Sequence, residues 1–303
     1  MLGLTDYITT SQWEDIFTIW YVLIDDGYQT VLSQLGKLRQ RGPQPACSDS
    51  EVITVALIID TFFHGHEDLG LAFVRQYHQD MFPQLPDASR FNRRRRELTG
   101  CMEAIRRIHA SWLIDKDDRV RLLDSAPIPV CTYTRSRTCE MVTGADYVGY
   151  AASDKANFFG FRLHLTTTVN QVVDQWLLAP ASPHDSQVTP AFFDACYRLW
   201  VLADNGYHSP EPEHWLDKQR AITLVTPPRG NAKAPWPKAL RRFLNKLRRR
   251  IETALSTLCT VFGLETTGAR SFTGLLCRIT TRLLAYNLSF LTNVELSALK
   301  TSN

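Results

Sequence analysis

Residues Asn157–Ser182 read NFFGFRLHLTTTVNQVVDQWLLAPAS. Phe159, Phe161, Leu163 and Leu165 alternate with Gly160, Arg162 and His164, the period of two expected of a strand. Asn170-Gln171 supplies a turn, and VVDQWLLAPAS returns as a further strand. Upstream, RVRLLDSAPIPV is strand-like as well, with Val120, Leu122 and Leu123 leading to Asp124. A Thr-, Arg-, Gly- and Tyr-rich loop from about Cys131 to Ala156 separates it from the first stretch. Three consecutive strands predict an antiparallel meander.

The chain then alternates. TPAFFDACYRLW predicts a helix, with Thr189 as cap and Pro190 at the first helical position. LWVLADNG is a fourth strand, PEPEHWLDKQ a short helix and AITLVTPP a fifth strand. KALRRFLNKLRRRIETALSTLCTVFGL carries apolar residues at Leu240, Phe243, Leu247, Ile251, Ala254, Leu258 and Val261, and predicts a helix stopped by Gly263. GLLCRITTRLLAYNLSFL is one more amphipathic helix. The order β-β-β-α-β-α-β-α is that of a ribonuclease H-like α/β core with a mixed five-stranded sheet.

Residues before about 115 read as all-α. SDSEVITVALIIDTFFH opens with Ser48 and Glu51 at capping-box spacing. DASRFNRRRRELTGCMEAIRRIHASWLI follows FPQLPD, and Asp87 or Ser89 can cap it. A short helix, a turn and this basic helix allow a helix-turn-helix arrangement; an ordinary bundle with arginines on its wet side fits equally. The expected division is residues 1–117, helical and DNA-binding, and residues 118–303, catalytic.

The 303 residues are 44% hydrophobic and 21% charged, the balance of a globular protein with a sizeable core. MLGLTDYITTSQWEDIF lacks the basic start of a signal peptide, and no apolar run reaches the roughly 18 residues of a membrane span. The seven cysteines are scattered and contain no CxxC pair, which argues against a disulfide framework or a zinc site and for a reducing, cytoplasmic setting. Net charge is only +3, yet Arg229–Arg250 holds nine Lys or Arg and no acid, and RFNRRRRE forms a second basic cluster. Such blocks suit phosphate contacts; a solvated helix face is the alternative.

Asp124 and Asp204 each end an apolar strand-like run, and a right-handed crossover can place the fourth strand parallel to and beside the first. Glu252, one position after the core residue Ile251, is the only acid between Arg229 and Phe262, and is expected at the margin of the buried stripe facing the sheet's end. Three converging carboxylates repel one another unless a divalent cation sits among them. Oxygen ligands suit Mg²⁺ or Mn²⁺, and two ions roughly 4 Å apart serve in-line phosphoryl transfer. Each acid also has a plain reading: a turn former at Asp124, an Asx-turn at Asp204, a helical ion pair of Glu252 with Arg248 or Arg249.

LLDSAPIPV, VLADNGYHS and LRRRIETALSTL resemble, in order, the three acidic blocks of DDE-class transposases from bacterial insertion sequences. ACSDSEVITVALI and RFNRRRREL resemble insertion-sequence family 982, within the broader IS-four-like group. The resemblance implies that Asp124, Asp204 and Glu252 are the metal-binding triad, with two Mg²⁺ or Mn²⁺ per site. It implies a transposase that cuts double-stranded DNA at terminal inverted repeats and joins the 3′-hydroxyl ends to target DNA. A homodimer in the synaptic complex, no membrane, and a bacterial cytoplasmic location on the nucleoid follow from the same likeness. A nuclease of the same fold that does not join strands, and an inactive DNA-binding derivative, are the alternatives.

Relatives surround the glutamate with a Tyr-x2-Arg-x3-Glu-x6-Lys pattern; here those positions are Asn245, Arg248, Glu252 and Cys259, so the tyrosine and lysine are missing. Arg249 or Lys246 can replace the lysine's charge. Arg241, Arg242, Lys246, Arg248, Arg249, Arg93, Arg94 and Arg95 are the expected DNA-binding cations. ASPHDSQ resembles a His-Asp element of this group, which places His184 and Asp185 near the site; the plain reading is that Asp185 or Ser186 starts the next helix, and Asn205, next to Asp204, is a further candidate for a place behind the acids. His64, His66 and Glu67 have metal-like spacing but suit a structural role on an apolar helix, and Trp236 reads as a base-stacking or a packing residue.

Overall fold

The computed structural model describes residues 10–36, 45–151, 155–228 and 236–301; residues 1–9, and residues 229–235 of the basic run, lie outside them. The chain divides into two compact units, residues 1–113 with 258–303, and residues 114–257. One unit boundary falls at 113/114, and residues from Leu258 onward belong with the N-terminal helices.

The first unit is helical: α1 (Thr10–Leu35), α2 (Asp49–Phe62), α3 (Glu67–Tyr77), α4 (Ala88–Glu97), α5 (Thr99–Leu113) and α9 (Phe272–Thr301). Both halves of the capping box form at α2: Glu51 N–H donates to Ser48 Oγ (3.1 Å) and Ser48 N–H to Glu51 Oε2 (2.6 Å). Asp87 caps α4 through Arg90 N–H. The single basic helix expected after it is two, broken at Leu98. Trp20, fully buried, donates its indole N–H to Thr292 Oγ1 (3.0 Å), tying α1 to α9.

The arginines of α4 do not all face water. Arg93 and Arg96 are exposed, but Arg94 and Arg95 are buried. Arg94 donates to Asp49 Oδ1 (2.6 Å) and to the Cys47 carbonyl (2.8 Å). Arg95 pairs with Asp60 and, at 3.1 Å, with Glu67. A buried guanidinium needs such partners, so these two side chains are internal, held by acids of their own unit rather than solvated on the wet face of α4.

The second unit holds a six-stranded sheet: β1 (Val120–Cys131), β2 (Val148–Ala151), β3 (Ala156–Thr167), β4 (Val173–Pro180), β5 (Trp200–Leu202) and β6 (Thr223–Val225). β1 and β4 both run antiparallel to β3, while β5 lies parallel to β1, and β6 parallel to β5. The sixth strand, β2, was expected to be loop; it is four residues long and exists by pairing Val148–Ala151 with Ala156–Phe159. A mixed α/β unit with a helical region before it is consistent with a ribonuclease H-like core.

β1 carries two prolines and still runs to Cys131. Its parallel pairing with β5 ends at Leu122↔Leu202, so beyond that point β3 is its paired neighbour and a missing N–H there breaks no second ladder. Opposite Pro129 lies Gly160, where an added Cβ would meet the Ile128 carbonyl oxygen at 2.3 Å; only glycine allows that approach. Helix α6 (Asp185–Phe192) leads into β5. It starts five residues before the expected Pro190, because His184 caps it and Pro190 sits inside its last turn. Helix α7 (Pro210–Trp215) precedes β6, and α8 (Lys238–Thr260) follows it. Under the sheet, Leu123, Phe193, Val201, Ala203, Tyr207 and Ile222 form one core.

None of the seven cysteines is paired. Among the described residues, no helix is long and apolar enough to cross a membrane.

Candidate active site

The parallel register of β1 and β5 sets the site. Leu122 and Leu202 are the last paired residues, and Asp124 and Asp204 stand two positions beyond them. Side chains alternate faces along a strand, so both aspartates follow buried leucines onto one face. Asp124 is not at a strand end, as expected, but inside β1, opposite Leu165 of β3, where the parallel neighbour stops.

Each carboxylate is tied to its own turn. Asp124 Oδ1 accepts the Ser125 amide (2.8 Å). Asp204 Oδ1 accepts the Gly206 amide (2.8 Å) and caps a 3₁₀ turn at Asn205–Tyr207. The Asn-Gly break after β5 thus fixes the carboxylate's rotamer. A third acid arrives from α6: a Cβ on Gly206 would lie 3.0 Å from Asp185 Oδ2 and 3.0 Å from Asp204 Oδ1. Gly206 has no side chain where two carboxylates close in.

Burial raises the Asp124 pKa to about 6, with the Asp204 and Glu252 charges adding to it and the Ser125 amide and Arg248 opposing it. Burial also raises Asp185, helped by Asp204 and opposed by Arg162 and His184; the Arg162 Nε lies 3.7 Å from Asp185. Beneath them Tyr207, 1% exposed, has its hydroxyl 2.8 Å from His164 Nδ1 and hydrogen-bonded to Ser125. Burial, then the charges of Asp185, Asp124 and Asp204, hold the phenol well above its ordinary pKa. Burial and Arg162 lower His164 to about 4, so its ring is neutral at pH 7, and its Nε2 has no hydrogen-bond partner.

Glu252 sits differently from expectation. Its side chain is 54% exposed and lies 4.0 Å from Arg248 in an i,i+4 pair, although its charge is felt at Asp124. Arg241, Arg242, Lys246 and Arg249 are exposed along α8, and Asn205 is exposed beside Asp204. Cys259, at the lysine's position, has its thiol pushed up to about 12 by burial and Glu265, and supplies no positive charge. His184 is engaged in capping: its Nδ1 lies 2.9 Å from Ser186 Oγ and accepts the Ser186 amide. Trp236 is half-buried outside any element. His164, Tyr207, Ser125 and Arg162 were absent from the expected site. His164 of β3 is the register partner of Ser125 of β1, a pairing that local sequence does not reveal.

Among the described residues, no group of three or more His, Cys, Asp or Glu is gathered closely enough to hold a metal ion, the His64–His66–Glu67 stretch included. The donor chemistry nonetheless fits a hard divalent cation. Asp124, Asp185 and Asp204 offer oxygen, and two of them have pKa values raised first by burial and further by the neighbouring Asp204 charge, a penalty that a bound cation would relieve. Mg²⁺ commonly takes only one or two protein carboxylates, completing its shell with water and phosphate.

No curated protein matches the chain. Residues 115–288, more than half of it, match the family described as the transposase DDE domain. The segment includes β1, β5 and α8, the elements that carry Asp124, Asp204 and Glu252. With a match over more than half of its length, the chain belongs to the transposase DDE domain family.

Proposed function

We propose that the protein cuts DNA at the terminal inverted repeats of an insertion sequence and joins the resulting 3′-hydroxyl ends to target DNA. The observation that carries this is that Asp124 and Asp204 each stand two positions beyond Leu122↔Leu202, the last parallel pair of β1 and β5, with burial and the Asp204 charge raising Asp124. Family membership supplies the substrate class, DNA.

Asp124 and Asp204 would hold the divalent ions, Mg²⁺ or Mn²⁺, with Glu252 reaching in from α8. Two such ions supply charge neutralisation and an activated attacking oxygen for in-line displacement at phosphorus. The chain's own residues prepare for that. The amides of Ser125 and Gly206 aim the two carboxylates. Tyr207, Ser125 and His164 form a dry floor beneath them. Arg248, with Arg249, Lys246, Arg241 and Arg242 along α8, offers cations to the phosphates that flank the scissile bond, and Arg93 on α4 offers one to DNA held by the helical unit. Asp185 and Asn205 border the site, and His184 holds the helix that delivers Asp185.

On this reading residues 118–303 serve catalysis and residues 1–117 bind DNA. A homodimer brings two DNA ends together, and the work is done on the bacterial nucleoid in the cytoplasm. The likeness to insertion-sequence family 982 belongs to the same proposal. The test incubates the protein and Mg²⁺ with pre-cut linear DNA bearing the element's ends and a supercoiled plasmid. Joined products are expected. Hydrolysis without joining would mean a nuclease, and equal processing by Asp204→Asn would mean that these carboxylates do no chemistry.

A further inference from the structure

Within the helical unit, the loop after α2, one side of α4 and the loop leading into α9 enclose a polar cavity of about 710 Å³. A charge cluster forms its wall. Arg95, 1% exposed, pairs with Asp60 and Glu67. Arg278 lies 3.7 Å from Asp60 and 3.8 Å from Glu67, and donates to the Gly65 carbonyl (3.1 Å). Behind them Arg282 is buried and donates to the carbonyls of Gly263 and Thr266, bracing the turn that leads to the cavity's second loop.

Three guanidiniums face two carboxylates, so the cluster keeps a positive excess. Burial draws Arg282 down to about 10; Asp60 opposes this, and Arg278 and Arg95 add to it. Arg95, which lines the cavity, has no hydrogen-bond partner at Nε. A cluster serving structure alone would tend to close with matched charges, since an unmatched buried cation is costly. On the rim stand Arg96 and Arg270, both exposed, with Asp68 as an opposing acid.

We propose that this cavity is a second binding site for the DNA backbone, taking a phosphodiester group between Arg96, Arg270 and Arg278. It rests on the reading that DNA is the substrate, and it adds a contact separate from the acids that would do the chemistry. The exposed rim arginines suit a polymer that passes over the opening, while Arg278 and Arg95 supply charge from within. Planar guanidinium forks match phosphate oxygens, and each neutralised phosphate releases counterions. The site also relocates the basic character of RFNRRRRE: Arg94 and Arg95 act inside the unit, and Arg96 beside them faces the DNA.

The test measures binding of full-length protein to a labelled random-sequence duplex over a range of salt concentrations. Arg96→Ala, Arg270→Ala, the double variant and Lys218→Ala, an exposed lysine outside the cavity lining, are compared. Each cavity variant should lower the slope of log K against log salt by about 0.9, and the double variant by about 1.8. Lys218→Ala should match the wild type. A double variant with wild-type affinity and slope, made in a protein that binds and joins DNA, would overturn the cavity proposal and leave the functional reading standing. Inorganic phosphate at matched ionic strength that displaces the duplex to the double variant's level would overturn it in favour of a free-phosphate site. A wild-type protein that binds no duplex would sink both.

Discussion

Replacing Asp124 by asparagine should make the metal-free protein more stable, and only above mildly acidic pH. Asparagine keeps the shape and the oxygen that accepts the Ser125 amide, but not the charge. The folded-state pKa of Asp124 is raised from 3.8 to about 6, so the folded protein holds its proton more tightly than the unfolded chain does. Between those two values the folded state binds more protons than the unfolded state, and stability falls as pH rises. Below about pH 4 the group is neutral in both states and no penalty remains; above pH 6 the penalty is complete. A shift of about two units at 1.36 kcal/mol per unit sets an upper limit of about 3 kcal/mol. Water and backbone relaxation reduce this, so about 2 kcal/mol is expected at pH 7. For a unit of this size that is a rise of about 4–8 °C in melting temperature. Differential scanning fluorimetry of wild type and Asp124→Asn from pH 4 to 8, in chelator, reads it directly. The two curves should meet near pH 4 and separate toward pH 7, and Mg²⁺ should shrink the gap by stabilising the wild type alone. Equal melting temperatures at pH 7, or a gap that is widest at pH 4, would refute the argument that crowding and burial strain this carboxylate.

Gly206→Ala should cost about 1 kcal/mol or less in stability, because its methyl meets only carboxylate tips that can rotate. The same displacement should cut strand transfer about tenfold to a hundredfold, since small misplacements of catalytic groups are amplified in rate; near-normal kinetics would contradict the placement. Asp60→Ala should destabilise the helical unit by about 3–5 kcal/mol in urea denaturation by leaving buried arginines short of a partner, whereas Arg93→Ala should stay within about 0.5 kcal/mol. Ser48→Ala should cost about 1 kcal/mol through the lost cap on α2, seen as a lower urea midpoint with an unchanged slope.

Local signals in the sequence located much of the architecture. The Ser48–Glu51 box and the alternation at Phe159–Leu165 act over a few residues, and both have their counterparts in α2 and β3. The apolar runs before Asp124 and Asp204 fall on β1 and β5, and the parallel register that makes those acids neighbours was available as one of few allowed crossovers. What escaped depends on partners far along the chain. Four residues of β2 have no strand identity without β3. The run RRRR looks uniform, yet Arg95 is drawn inward by Asp60, 35 positions away. His164 and Tyr207 are 43 positions apart and meet only once the sheet is assembled. Pro190 is a proper helix-start signal, but His184 caps the backbone earlier and α6 begins there. Glu252 was placed one position after a core residue correctly, and the helix rotation that leaves it 54% exposed beside Arg248 is a matter of tertiary packing.

The central claim is that Asp124 and Asp204 jointly hold a divalent cation for phosphoryl transfer. Titrating Mn²⁺ against wild type, Asp124→Asn, Asp204→Asn and Glu252→Gln, with free Mn²⁺ read by electron paramagnetic resonance, tests it without needing any DNA end. Each aspartate substitution should abolish binding at the wild-type affinity, with Glu252→Gln weakening it. Wild-type Mn²⁺ binding in Asp124→Asn or Asp204→Asn would contradict the claim.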